Sequence, residues 1–113
     1  MKRELPLVLM CAALLVGCGD ESPPVQAEPV ILSAQQAQAF ATSCAVCHSH
    51  PGSTAPLAGK IDDWEEGIAR GLDGMLQNTL DGYRGMPPLG GCAYCTEEDL
   101  TQLIRFMSGG VAR

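Results

Sequence analysis

Cys44-Ala45-Val46-Cys47-His48 sets two thiols three residues apart with an imidazole directly behind the second. This is the C-x-x-C-H pattern of c-type haem attachment. The spacing has a chemical reason. Two thiols on one turn can each add to one vinyl group of a haem, and the adjacent histidine is carried to the iron as the proximal ligand. Other chemistries use the same residue types. A redox C-x-x-C wants a thioredoxin-like βαβ setting, which the pattern of the chain lacks. A zinc site joining Cys44 and Cys47 to Cys92 and Cys95 is conceivable, but 44 residues intervene, far beyond the usual ribbon spacing.

An electron-transfer haem needs a second axial ligand, and a methionine thioether is the partner that raises the potential. His50 stands too close to His48 to reach the opposite haem face and reads as a surface or haem-edge residue. Of five methionines, Met1 and Met10 lie in a leader. Met75 and Met107 fall in apolar helical stripes, where filling the core is the default role. Met86 stands apart in Gly85-Met86-Pro87-Pro88, where the following prolines bias it away from helix and stiffen the loop. It follows His48 by 38 residues, enough chain to approach the far face, and it is the expected sixth ligand.

The elements that must position these groups read as helices. Ser33 is a plausible N-cap, and Ala37, Phe40, Ala41 and Cys44 recur at helical spacing on one face. Ile61, Trp64 and Ile68 suggest a second short helix ending near Gly71. Leu72, Met75, Leu76, Thr79 and Leu80 give a third, closed by Asp81-Gly82. Thr96 and Asp99 form a capping box before a fourth, whose stripe is Leu100, Leu103, Ile104 and Met107. No segment alternates long enough to be a strand, so the chain reads as all-α with long loops at 49–60 and 81–95. Aromatic residues make up only 4% of the chain, and a domain this small builds a thin core, so a cofactor or staple is expected. Trp64 and Tyr83 could reach haem propionates, but are expected as core aromatics.

The ends carry different signals. A basic start and an apolar run, Leu5 to Val16, have secretory signal anatomy, too short to span a bilayer. Leu15-Val16-Gly17-Cys18 resembles the lipobox of bacterial lipoproteins, in which cleavage precedes the cysteine and Cys18 is acylated. Cys11 leaves with the leader. Residues 19–32, GDESPPVQAEPVIL, read as an extended mobile tether. The expected organisation is thus a signal peptide (1–17), a lipidated tether (18–32) and a haem domain (33–113). It faces an oxidising periplasmic compartment from a membrane whose identity, inner or outer, stays open.

Net charge is −6. Removing residues 1–17 leaves five of the seven basic residues and twelve of the thirteen acidic ones, net −7. That excludes the basic footprint of nucleic-acid binding and favours partners with basic docking surfaces.

Residues 36–107 resemble a class I cytochrome c, and specifically the short bacterial cytochrome c5 family. The likeness rests on the CxxCH start, the Ala55-Pro56 loop, the helix GLDGMLQNTLDG and the methionine loop GMPPLGGCAYC. It implies a small class I cytochrome c fold, about four short helices around one covalently bound haem c. It also implies a Cys92–Cys95 disulfide bracing the methionine loop, and a Pro56 carbonyl bonded to the proximal imidazole. The tether and lipobox are not part of the soluble family pattern. The function implied is single-electron transfer between exported respiratory proteins, with a dimer possible through the haem edge. The alternatives are a gas sensor with a displaceable Met86 and a peroxidase-like haem enzyme. The latter wants a distal acid–base residue that His50 is badly placed to supply.

Overall fold

Ser33 starts the first helix with a complete capping box: its hydroxyl accepts the Gln36 N–H at 3.2 Å, and its own N–H donates to Gln36 Oε1 at 3.0 Å. The computed structural model describes residues 26–112; residues 1–25, with the expected signal and Cys18, lie outside them. Helix α1 (Ala34–Ala39) runs through a π-helical turn, Phe40–Cys44, into α2 (Ala45–His48). Residues five apart stack in such a turn, and Ala39, Cys44 and His48 are all buried. The expected stripe is therefore only partly right. Phe40 and Cys44 face inward, but Ala37 and Ala41 are exposed. Their single methyl groups do little to set the rotation of the helix.

After the loop at 49–60, a 3-10 turn (Ile61–Trp64) leads into α3 (Glu65–Asp81). Gly71 breaks α3 with φ 78° and ψ 169°, a conformation essentially confined to glycine. The break stands where the sequence ends one apolar helix and begins another. A 3-10 turn at Pro88–Gly91 follows the methionine loop, and α4 (Glu97–Met107) closes the domain. Thr96 caps α4, its hydroxyl accepting the Asp99 N–H at 3.1 Å. Among the described residues there is no strand, only an isolated bridge between Tyr83 and Met86.

α4 packs across α3 and touches α1, burying Leu100, Leu103, Ile104 and Met107, the expected stripe. Phe40 meets Phe106 edge to face at 5.2 Å. Trp64, Met75 and Cys92 complete the core. Residues 26–32 carry no regular secondary structure, and Glu28 is held on the domain: its N–H donates to the Gly110 carbonyl at 3.3 Å and its carboxylate lies 3.6 Å from Arg105. The C-terminal end of the segment expected as a mobile tether therefore docks beside α4.

Candidate functional site

His48 is 8% exposed at the end of α2. Its Nδ1 lies 2.7 Å from the Pro56 carbonyl oxygen. A carbonyl only accepts, so Nδ1 is the donor, and Nε2 is the nitrogen left for a metal. The loop that brings Pro56 back is fastened on both sides. Ala58 N–H donates to the His48 carbonyl at 2.8 Å, and Gly59 N–H to the Met107 carbonyl at 2.7 Å. Asp63 accepts the Leu57 N–H at 3.2 Å while paired with Lys60 at 2.7 Å. Trp64 stacks on the imidazole, ring centroids 5.5 Å apart, and its Nε1–H donates to the Leu57 carbonyl at 2.8 Å. Trp64 is thus a core aromatic and a wall of the site together.

Cys44 and Cys47 are both free thiols, the first buried and the second exposed. Burial pushes the Cys44 thiol above its ordinary pKa, so it stays protonated. Ser53 Oγ–H donates to the Cys47 carbonyl at 2.6 Å and closes the turn behind the motif. His50 is exposed.

Met86 sits half-buried in a turn tied to Tyr83 by two backbone bonds, 3.0 Å and 2.9 Å. Gly82 makes the approach possible: its φ is 86°, and a Cβ there would meet the Met86 oxygen and Pro88 at 3.1 Å. The turn Pro88–Gly91 that follows packs on α3 and on the Phe40–Cys44 segment. This joins the methionine loop to the helix that carries the thiols. Cys92 and Cys95 form a disulfide, with Cα atoms 5.5 Å apart and Cys92 fully buried. Bonded to each other, they are removed from any four-thiolate zinc site.

Tyr83 departs from its expected place in the core. It is half-buried, with the Arg70 and Arg84 guanidinium groups 5.3 Å and 4.8 Å from its ring centroid. Its hydroxyl donates to Glu66 at 3.1 Å. Glu66, Arg70 and Arg84 have no place in the sequence argument, although the i, i+4 spacing of Glu66 and Arg70 was a visible signal.

The donor set fits a covalently held haem: two free thiols on one turn, an imidazole whose Nδ1 is held by a carbonyl and whose Nε2 is left for a metal, and a thioether on a fastened loop packed against the same helix. Comparison with known proteins agrees with that chemistry. Residues 33–107 match the family described as cytochrome c oxidase, cbb3-type, subunit III. Over 72 residues the chain is 38% identical to cytochrome c5 of Ectopseudomonas mendocina, covering 62% of this chain and 83% of that one. Cytochrome c-555 of Chlorobaculum thiosulfatiphilum is 32% identical over 74 residues, covering 62% and 86%. Among solved structures, a mono-heme ferrocytochrome c from Shewanella putrefaciens superposes with a TM-score of 0.59 at 38% identity, covering 70% of this chain and 99% of that one. A chain from the electron transfer complex of nitrite reductase with cytochrome c gives 0.61 at 30% identity, covering 72% and 99%.

Proposed function

The chain belongs to the c-type cytochrome family described as cytochrome c oxidase, cbb3-type, subunit III; from that membership we propose that it carries single electrons between exported respiratory proteins, and from the lipobox-like Leu15-Val16-Gly17-Cys18 that it does so tethered to a membrane. It is an electron-transfer monohaem cytochrome of the cytochrome c5 kind, with one covalent haem c. Its relatives are electron carriers, not enzymes in themselves.

In this reading Cys44 and Cys47 would hold the haem through two thioethers, and His48 and Met86 would ligate its iron. The haem would supply a one-electron ferrous–ferric couple. The chain's residues do the rest. Pro56 holds the His48 ring in orientation and raises its basicity through the Nδ1 proton. Trp64 closes one side of the imidazole against water. The Cys92–Cys95 bridge closes too short a loop for a large entropic gain; its work is to brace the segment after Met86. The observation that carries the reading is the buried imidazole held by Pro56 at 2.7 Å, one residue after a free thiol pair.

Redox-protein partners are supported by the likeness to a chain from a nitrite reductase–cytochrome c complex, and the acidic balance favours basic docking faces. Lipidation of Cys18 would hold the domain at the periplasmic side of a bacterial membrane. Mass spectrometry of the exported protein tests this: an acylated N-terminal cysteine is expected, and an unmodified soluble chain would remove the anchor.

The test of the site is optical. Residues 19–113, matured with haem-attachment machinery, should give a low-spin c-type spectrum, a far-red methionine-to-ferric-iron band and no change with CO. A high-spin spectrum that shifts with CO would instead favour the gas-sensing reading and remove Met86 from its role.

A further inference from the structure

One carboxylate oxygen, Glu66 Oε1, is the meeting point of three donors. Arg70 Nη2 approaches at 2.7 Å, Tyr83 Oη at 3.1 Å and Arg84 Nη2 at 3.1 Å. Arg70 Nη2 also donates to the Tyr83 hydroxyl at 3.1 Å, and both guanidinium groups lie over the Tyr83 ring. Glu66 and Arg70 belong to the first part of α3, before the Gly71 break, whereas Tyr83 and Arg84 begin the turn whose last residue is Met86. Arg84 has φ 54°, a left-handed conformation that a residue with a Cβ adopts at a cost. The two Tyr83–Met86 backbone bonds close that turn, and the Glu66 cluster adds side-chain bonds to it from outside.

We propose that Glu66 is a positioning residue for Met86, fastening the Tyr83–Met86 turn to the start of α3 so that the thioether is presented at a fixed place. The proposal rests on Met86 being the axial ligand. A single exposed ion pair holds little, but one acceptor shared by three donors, two of them also over the Tyr83 ring, is a network in which each bond limits the freedom of the others. Losing it raises the population of the open turn. Any exogenous ligand competing with Met86 then binds more tightly in proportion to that population.

The experiment measures the affinity of the ferric holoprotein for added imidazole, together with the far-red band. Glu66→Ala and the milder Glu66→Gln should bind imidazole about three- to tenfold more tightly than wild type. Glu65→Gln removes the same charge one residue away from a side chain that takes no part in these bonds, and should leave the affinity unchanged. Amide exchange at Tyr83 and Met86, whose N–H groups bond to each other's carbonyls, should quicken in the Glu66 variants alone. Equal imidazole affinity in wild type and both Glu66 variants overturns the proposal, as does an equal response to Glu65→Gln, which would mark a plain charge effect. Met86→Ala separates the two levels. If it abolishes the far-red band while the Glu66 variants change nothing, the ligand reading stands and the positioning role falls. If the band survives in Met86→Ala, both fall.

Discussion

Trp64 does two jobs with one indole. Its face lies against His48 and its Nε1–H satisfies the Leu57 carbonyl, so the residue joins the ligand ring to the loop that carries Pro56. Trp64→Phe keeps an aromatic face but leaves that carbonyl without its donor. We expect a loss of about 1–2 kcal/mol in denaturant unfolding, with faster amide exchange at Ala58 and the haem spectrum retained. An unchanged midpoint would mean that the Leu57 bond contributes nothing net. The difference between Trp64 and Tyr83 shows what single residues reveal in a sequence. Cys44, Cys47 and His48 are legible because covalent attachment demands fixed spacing, and Met86 because the prolines after it forbid helix. Tyr83 was expected in the core, since an aromatic in a chain poor in them is usually needed there. Its actual surroundings come from Glu66, seventeen residues earlier, and a tertiary ion cluster leaves almost no trace in local pattern.

Helices α3 and α4 are specified by their ends. Gly71 ends the first part of α3 in a conformation that only glycine adopts easily, and Gly71→Ala should cost about 1–3 kcal/mol, read as a lower unfolding midpoint. Stability equal to wild type would show that α3 runs straight there without penalty. At α4 the cap is electrostatic as well as geometric. The Asp99 carboxyl is held below the usual carboxylate range, first by the Thr96 backbone N–H, then by the Thr96 hydroxyl and by Gln36. A depressed folded-state pKa contributes stability above the unfolded value, and that contribution is lost as pH falls through the folded value. Wild type should therefore exceed Asp99→Asn in urea midpoint at neutral pH and converge with it at about pH 2. A constant gap across that range would assign the effect to shape rather than charge. The fourth helix was readable because its capping box and stripe agree. The first was less so, because the π turn at Phe40–Cys44 changes the period within a run of small residues, and alanines at 37 and 41 do not declare a face.

The whole chain has few positive charges for its acidic ones, and the residues after position 17 carry net −7. Electron transfer to a basic partner should slow severalfold as salt rises from about 10 to 200 mM, because screening shortens the reach of the attraction; stopped-flow rates that do not move with salt would exclude steering. How the domain is presented to such a partner depends on residues 26–32. Composition makes the longer stretch 19–32, to which they belong, a mobile tether, since its three prolines and three acids signal solvation. One bond that fastens it is made by the backbone, Glu28 N–H to the Gly110 carbonyl, and backbone bonds have no residue signature. Gly110 gives the one clue. Its φ is 76°, and a Cβ built on it would collide with the Glu28 backbone. Gly110→Ala should therefore release the strap while leaving the haem site alone, since His48, Pro56 and Met86 take no part in that contact. The expected outcome is faster amide exchange at Glu28, whose N–H makes that bond, with an unchanged far-red band. If exchange is no faster, the Glu28 N–H is already free in solution, and the domain swings on the full length of its linker rather than being held close at the Gly110 edge.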